Sequence, residues 1–217
     1  MSTQVTTSQV NTTRNDNDHD GDHEIHLEIN PDQNLSPSGP GILLFTSGTT
    51  GLPKGVVLPR TCLSFPDKVA DPKGIALSHR ACHWIAGTTS LIGSVLSGKT
   101  LHVLGEHAGA RELLDALQRL DVSQVAFTPT LLRGMKALLL ARTGSGSESD
   151  MKKVAARFGR LPAIRCSAAP IETSLREFWT DLTGLPFENI YSSTETGGVI
   201  SRAVSRPNVS FFFSLSS

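Results

Sequence analysis

The ten-residue stretch Thr46–Gly55, TSGTTGLPKG, surrounds one lysine with hydroxyl side chains and glycines. It follows the apolar run Gly41–Phe45, which is typical of a strand. Glycines let backbone amides approach an anion closely, while the hydroxyls and the Lys54 ammonium add hydrogen-bond donors and positive charge. The pattern therefore predicts a phosphate-binding loop, although its spacing is not that of the G-x-x-x-x-G-K-[ST] motif. The alternative is a Gly/Thr turn between two strands. The predicted phosphate-binding residues are Thr46, Ser47, Gly48, Thr49, Thr50, Gly51 and Lys54.

Two later segments carry residue types suited to the rest of a nucleotide. In Cys166–Pro170, CSAAP, small side chains leave room for a flat base, and the proline suits a first helical turn. In Asn189–Gly198, Tyr191 offers a stacking face, Thr194 a hydroxyl, and Glu195 a hard oxygen ligand for Mg²⁺. Open α/β sheets bind ligands at strand ends such as these. Each segment alone is a weak signal, since a lone tyrosine at a strand end is usually a core residue and a Thr-Glu pair is usually a turn or a helix cap.

Apolar runs and helical patterns alternate from Gly41 onward, which predicts an α/β fold with a mostly parallel sheet and helices on both faces. The predicted strands are Leu43–Phe45, Leu101–Leu104, Val125–Phe127, Ala163–Cys166 and Asn189–Tyr191. The predicted helices are Arg111–Leu120, Thr130–Ala141 and Ile171–Thr183, the last closed by Gly184. The polar run Arg142–Asp150 predicts an exposed loop.

Composition divides the chain into three parts. Residues 1–40 are polar and hold seven acidic residues against one basic residue, which predicts a disordered acidic segment. Residues 41–200 form the predicted domain, and residues 201–217, with three consecutive phenylalanines in a Ser-rich stretch, predict an unstructured tail.

Charge and hydropathy narrow the function classes. The net charge of the whole chain is zero, but residues 41–217 carry a net charge of +6, which favours a phosphorylated ligand. The basic residues do not form a cluster of the kind that marks a nucleic-acid surface. No apolar run is long enough for a membrane span, and the N-terminus has no secretory signal. Three scattered cysteines suit a reducing compartment. We therefore expect a cytoplasmic protein with no nucleic-acid partner, and no pattern specifies its oligomeric state.

The stretch Thr46–Gly55 closely resembles the phosphate-binding signature of the adenylate-forming (AMP-binding) enzymes, which include acyl-CoA synthetases, luciferases and peptide-synthetase adenylation domains. Cys166–Pro170 is similar to the family's S-G-A-A-P-L segment and Tyr191–Glu195 to its Y-G-x-T-E segment, in the family's order. The resemblance spans Gly41 to Ile200 and leans towards malonyl-CoA synthetases at FWTDLTG. It implies a partial N-terminal domain of an acyl-CoA-synthetase-type enzyme, without the C-terminal lid domain.

The resemblance also implies roles, with ATP, Mg²⁺ and CoA as cofactors and a small carboxylic acid as substrate. Ser47 to Lys54 would hold the β- and γ-phosphates; Ser167, Ala168 and Ala169 would flank the adenine, with Tyr191 stacked on it; Thr194 would bind the α-phosphate and acyl carbonyl; and Glu195 would ligate Mg²⁺. Catalytic roles fall to Lys54, Thr194 and Glu195.

The middle of the chain bears on the acyl group. Cys82–Gly87, CHWIAG, resembles the F-H-x-x-G segment of acyl-CoA synthetases, which implies that His83 lies beside the acyl pocket. A core histidine is the alternative. Arg80–Leu104 contains no acidic residue, which predicts an uncharged acyl or aryl chain. Just before it, Ser78-His79-Arg80 is similar to the L-S-H-R that often follows the family's phosphate loop directly.

Two kinds of departure from the family qualify these expectations. Ser167 and Ser192 replace family glycines and would be strained if the backbone there had positive φ. The resemblance also begins late and ends before the family's lid lysine, which stabilises transition-state charge. The alternative is therefore a catalytically inactive nucleotide-binding remnant or a truncated gene product, and we expect the chain to fold poorly alone.

Overall fold

The computed structural model describes residues 35–47, 51–63, 70–105, 108–142 and 148–206. The prediction of disorder for the N-terminal segment, up to residue 34, lies outside the described residues, as does the tail from residue 207. The elements in chain order are β1 (Pro40–Thr46), β2 (Lys54–Pro59), a 3-10 turn (Arg60–Cys62), β3 (Ile75–Ser78), α1 (Ile85–Ser97), β4 (Thr100–Val103), α2 (Ala110–Arg119), β5 (Val122–Gln124), α3 (Pro129–Arg142), α4 (Glu148–Ala156), β6 (Ile164–Ser167), α5 (Thr173–Thr183), β7 (Phe187–Ser193) and β8 (Gly198–Ser205).

The strands are mostly parallel, as predicted. Strand β3 lies between β4 and β5 and is parallel to both, and β6 is parallel to β7. A parallel bridge joins the two groups, because the Phe127 amide donates to the Arg165 carbonyl at 2.7 Å and the Ser167 amide donates to the Phe127 carbonyl at 3.0 Å. The antiparallel strand β8 pairs with β7, and β1 and β2 form a separate antiparallel pair.

Helices cover both faces of this sheet. The main core joins buried side chains of α2, α3 and α5 to strand residues such as Leu77, Val122 and Ile164. Helix α1 contributes no buried side chain to that core and instead contacts β3 and β4. Alternate residues of β3 point to opposite faces, and its Ala76, Leu77 and Ser78 are all buried, so the strand is covered on both sides.

Helix α1 was not predicted, because its sequence IAGTTSLIGSVLS is rich in Gly, Ser and Thr. Two of its serine hydroxyls hydrogen-bond inside the helix: Ser94 donates to the Ser90 carbonyl at 2.7 Å and Ser97 to the Gly93 carbonyl at 2.6 Å. The helix ends at Gly98, whose φ of 70° suits a glycine C-cap. Strands β2 and β3 and helix α4 were also missed.

Three predictions are corrected. The loop prediction for Arg142–Asp150 is wrong at both ends, since α3 runs to Arg142 and α4 begins at Glu148. The tail prediction is wrong up to Ser205, because β8 pairs with β7 along Phe187–Ser193. The strand predicted at Val125–Phe127 lies earlier, at Val122–Gln124, and Phe127 makes only the isolated bridge. No helix in the described ranges is both long and apolar enough to cross a membrane.

Candidate functional site

The predicted phosphate loop connects the two strands of the separate antiparallel pair. Strand β1 ends at Thr46, opposite Lys54, the first residue of β2. Gly51 has φ 130°, a conformation that side chains rarely adopt. Lys54 is exposed, and Gly48, Thr49 and Thr50 lie outside the described residues. The described residues thus form the base of the loop, with Lys54 at the start of β2.

The predicted adenine segment begins where β6 ends. Ser167 is the last residue of β6 and is buried, while Ala168 and Ala169 are exposed beyond it. Neither Ser167 nor Ser192 has positive φ. Ala168 does, with φ 83°, and it is the only non-glycine residue of the described ranges that does. The strain anticipated at Ser167 lies one residue later, at Ala168, and neither Ser192 nor Ser193 has positive φ.

The third predicted segment spans the end of β7 and the turn to β8. Tyr191 is on β7 with 65% of its surface exposed, and Thr194 and Glu195 lie in the following turn. Gly197 completes the turn with φ 73°, and its Cα faces Cys62, where a Cβ would overlap the Cys62 Sγ. Leu58 of β2 lies next to the same glycine. This turn therefore packs against the end of the phosphate-loop hairpin.

One cavity of about 680 Å³ brings several of these residues together. It is lined by Ser167 and Ala168 from the adenine segment, by Thr194, and by His83 from the segment before α1. Lys54, Ala169, Tyr191 and Glu195 do not line it. The hairpin is nevertheless attached to the same region, since Leu44 and Leu58 pack on Ile85, which lines the cavity.

His79 and Arg80 also line this cavity, and they were not predicted as site residues. They directly follow Ser78, the last residue of the central strand β3. The signal was available in the L-S-H-R likeness, but assigning it required knowing that Ile75–Ser78 is a strand. Because β3, β6 and β7 run in the same sense across the sheet, their carboxyl ends meet at one edge.

His79 is held in a neutral state. Its Nε2 lies 2.8 Å from the Ala126 carbonyl oxygen, so Nε2–H donates to that oxygen. Burial lowers the pKa of the imidazole below 6.5, and the neighbouring Arg80 charge acts in the same direction. At neutral pH this residue therefore presents an uncharged ring to the cavity.

Arg80 is a half-buried cation of the site. Its Nη2 donates to the Phe127 carbonyl at 3.2 Å and to the Ser167 hydroxyl at 3.1 Å, which ties β3 to the end of β6. Burial lowers the pKa of its guanidinium, although a guanidinium remains charged in proteins. Burial also raises the pKa of the Cys166 thiol to about 11, so this cysteine is a neutral core residue.

Glu195 is the predicted ligand of a metal ion at this site. The described residues contain no group of three or more side chains that could hold a metal ion. Mg²⁺ commonly binds one or two carboxylates and completes its shell with substrate phosphates and water. A single exposed carboxylate such as Glu195 fits a metal that arrives with a nucleotide, and it does not fit a cage made by protein alone.

Comparison with known proteins gives one consistent result. A family profile described as AMP-binding enzyme matches residues 2–211. The fatty acid–[acyl-carrier-protein] ligase ScoC of Streptomyces coeruleorubidus is 29% identical over 191 residues, which cover 79% of this chain and 33% of that protein. The acyl-CoA ligase oryP of Aspergillus oryzae is 27% identical over 174 residues, covering 76% of this chain and 32% of oryP.

The fold is also found in solved structures. A malonyl-CoA ligase with methylmalonyl-CoA and AMP bound aligns with a TM-score of 0.64 and 20% identity, covering 79% of this chain and 36% of that one. At this identity the likeness shows the fold. This chain spans about a third of the length of ScoC and of oryP.

Proposed function

The chain belongs to the AMP-binding enzyme family, and we propose that the protein uses ATP to activate a carboxylic acid as an acyl-adenylate, then transfers the acyl group to CoA. The observation that supports this most is the 680 Å³ cavity, because Ser167, Ala168 and Thr194 line it from separate strand ends together with His83. These residues match the nucleotide and acyl segments in which the resemblance was recognised.

The proposed first step is displacement at the α-phosphorus of ATP. A carboxylate oxygen of the acid attacks phosphorus, the bond to the bridging oxygen breaks, and pyrophosphate leaves with its charge. Thr194 hydrogen-bonds the α-phosphate and the acyl carbonyl, its single hydroxyl hydrogen going to the phosphate, and Lys54 neutralises the β- and γ-phosphates. Ser167, Ala168 and Ala169 flank the adenine, and Tyr191 stacks on it. Glu195 would hold Mg²⁺, which supplies charge neutralisation of the phosphates when bound.

The proposed second step is attack of a thiol on the acyl carbon, with AMP as the leaving group. We propose CoA as that thiol, by similarity to the acyl-CoA ligase oryP. The name of ScoC indicates a carrier-protein thiol as the second candidate. The two are distinguished by following thiol loss after acyl-adenylate formation, with CoA or an acyl-carrier protein as the only thiol. We place the reaction in the cytoplasm.

The test is acid-dependent exchange of labelled pyrophosphate into ATP by this chain, over a panel of mono- and dicarboxylic acids. We expect exchange with at least one acid and none without acid. If the folded chain binds ATP but supports no exchange with any acid, the protein is a non-catalytic nucleotide-binding remnant and the enzymatic proposal is wrong.

Substitution links the exchange to the site. Thr194→Ala should reduce exchange by about tenfold or more, since it removes a donor to the reacting phosphate. Thr173→Ala is the matched control, because Thr173 is an exposed residue at the start of α5 and does not line the 680 Å³ cavity. Equal exchange by the two variants would remove Thr194 from the reaction.

A further inference from the structure

A second cavity adjoins the one that holds the candidate site. Its volume is about 320 Å³, and it lies between α1 and strands β6, β7 and β8. Arg80, Ile85, Ala86, Ser167 and Ser192 line both cavities, so they share a wall. A ligand with one end in the first cavity therefore needs only a short chain to reach the second.

The second cavity is positively charged. Arg80, Arg165 and Arg202 line it, and none of the described lining residues is acidic. We call it the arginine cavity. One carboxylate accompanies these three guanidinium groups: Glu188 lies 2.8 Å from Arg165 Nε and 3.8 Å from Arg202 Nε. Two positive charges are left over, which favours an anionic ligand.

Arg80 is the member of this group with the least compensation. Its Nη2 donates to a carbonyl and a hydroxyl, both of them neutral. Its Nε is buried and has no hydrogen-bond partner among the described residues, and it forms no ion pair with a described carboxylate. A half-buried guanidinium that is not paired with a carboxylate favours an anion in the cavity that it lines, because the anion would offset the cost of the partly desolvated charge.

We propose that the arginine cavity binds a second anionic group of the acid substrate, so that the substrate is a short dicarboxylic acid. This inference rests on the proposed function: one carboxylate reacts in the first cavity beside Thr194, and the other lies among Arg80, Arg165 and Arg202. It replaces the sequence-based expectation of an uncharged chain. That expectation used only Arg80–Leu104, whereas two of the arginines come from β6 and β8.

The test is calorimetric titration of the chain, with AMP present, by dicarboxylic acids of three to six carbons and by monocarboxylic acids of the same lengths. At least one diacid should bind about tenfold or more tightly than its matched monoacid, as expected for a charge-assisted contact. Inorganic phosphate serves as a probe for a site that takes any anion.

Two variants move the charge in opposite directions. Arg202→Gln should lower the diacid preference several-fold, and Glu188→Gln should raise it, because glutamine keeps an oxygen for Arg165 but carries no charge. Arg133→Gln is the control: it also removes the arginine of an Arg–Glu pair, at 2.7 Å to Glu172, but lies outside both cavities. It should leave the preference unchanged.

The possible outcomes distinguish diacid binding from the proposed acyl-adenylate formation. Pyrophosphate exchange with monoacids and no diacid preference would overturn the inference and keep the adenylation. If diacids bind more tightly and the two variants change that preference as predicted, but no pyrophosphate exchange occurs, diacid binding in the arginine cavity is supported and the proposed adenylation is wrong. Phosphate binding that weakens in Arg202→Gln, without diacid selectivity, would show a general anion site and overturn the substrate assignment.

Discussion

Ala168 is the only non-glycine residue of the described ranges with a positive φ. Its φ of 83° is in the region that costs a side-chain-bearing residue about 1–2 kcal/mol. Glycine would remove that cost but would add freedom to the unfolded chain. We expect Ala168→Gly to raise the free energy of unfolding by about 0.5–1 kcal/mol, as measured by urea denaturation.

Ala169→Gly is the matched control for that prediction. Its φ is not positive, so glycine brings only the unfolded-state entropy and should lower stability by about 0.4–1 kcal/mol. If both substitutions destabilise the protein equally, Ala168 carries no strain.

His79 should make the free energy of unfolding depend on pH. Because burial lowers its pKa in the folded protein, the unfolded chain takes up the proton first as pH falls through 6.5. The free energy of unfolding should therefore decrease from pH 7.5 to pH 5.5, and His79→Gln should make that decrease smaller. An equal decrease in both proteins would show that His79 does not contribute to it.

The first turn of helix α1 packs closely against the backbone of the segment that precedes it. A Cβ at Gly87 would overlap the Ala81 carbonyl oxygen, in the segment that carries His83 and Trp84 into the cavity. Gly87→Ala should therefore destabilise the protein by about 1–3 kcal/mol in denaturant titration. Gly105→Ala, where nothing lies within 4 Å of the new atom, should change stability by less than about 0.5 kcal/mol. Equal effects would contradict the close packing at α1.

Sequence pattern predicted the elements whose apolar residues follow a helical or strand period. Helix α2 is an example, since Leu113, Leu114 and Leu117 are fully buried on its core face. Strand β8 could not be predicted this way, because most of its residues are exposed, although it pairs with β7 through a short turn. Helix α1 forms against weak local propensity, held by its contacts with β3 and β4.

Only part of the candidate site could be predicted from the sequence, because some of its residues are brought together by strand pairing and not by a motif. Motif likeness indicated Ser167, Ala168 and Thr194, which the first cavity brings together with His83. It did not indicate Arg165 or Arg202, since their shared cavity depends on the register of β6, β7 and β8. The roles of all these residues stay predictions, and Lys54, Ala169, Tyr191 and Glu195 do not line the cavity.

At the scale of the whole molecule, an apolar surface remains exposed on the phosphate-loop hairpin. Leu43, Phe45 and Val57 lie on one face of β1 and β2 and are each more than half exposed, while Leu44 and Leu58 on the other face are buried. Exposed apolar patches bind hydrophobic dyes and promote association. We expect the chain to bind such a dye in native buffer.

Replacing Leu43, Phe45 and Val57 together by threonine should remove most of the dye signal, whereas Leu35→Thr, at a lone exposed leucine, should not. A wild-type chain that binds no dye and unfolds in one sharp transition would contradict both this prediction and the expectation of poor folding.

The central claim is that the hairpin loop and the cavity form one nucleotide site, with Lys54 on the outer phosphates. The most direct measurement is calorimetric titration of the wild-type chain, Lys54→Ala and Lys73→Ala with Mg-ATP and with AMP. Lys73 is the matched control, because it also lies between a proline and a glycine before a strand. Lys54→Ala should weaken ATP binding about tenfold or more and leave AMP binding unchanged, since one charge-assisted contact contributes about 1.5–3 kcal/mol. Equal ATP affinity in the three proteins, or an equal loss of ATP and AMP binding in Lys54→Ala, would contradict the claim.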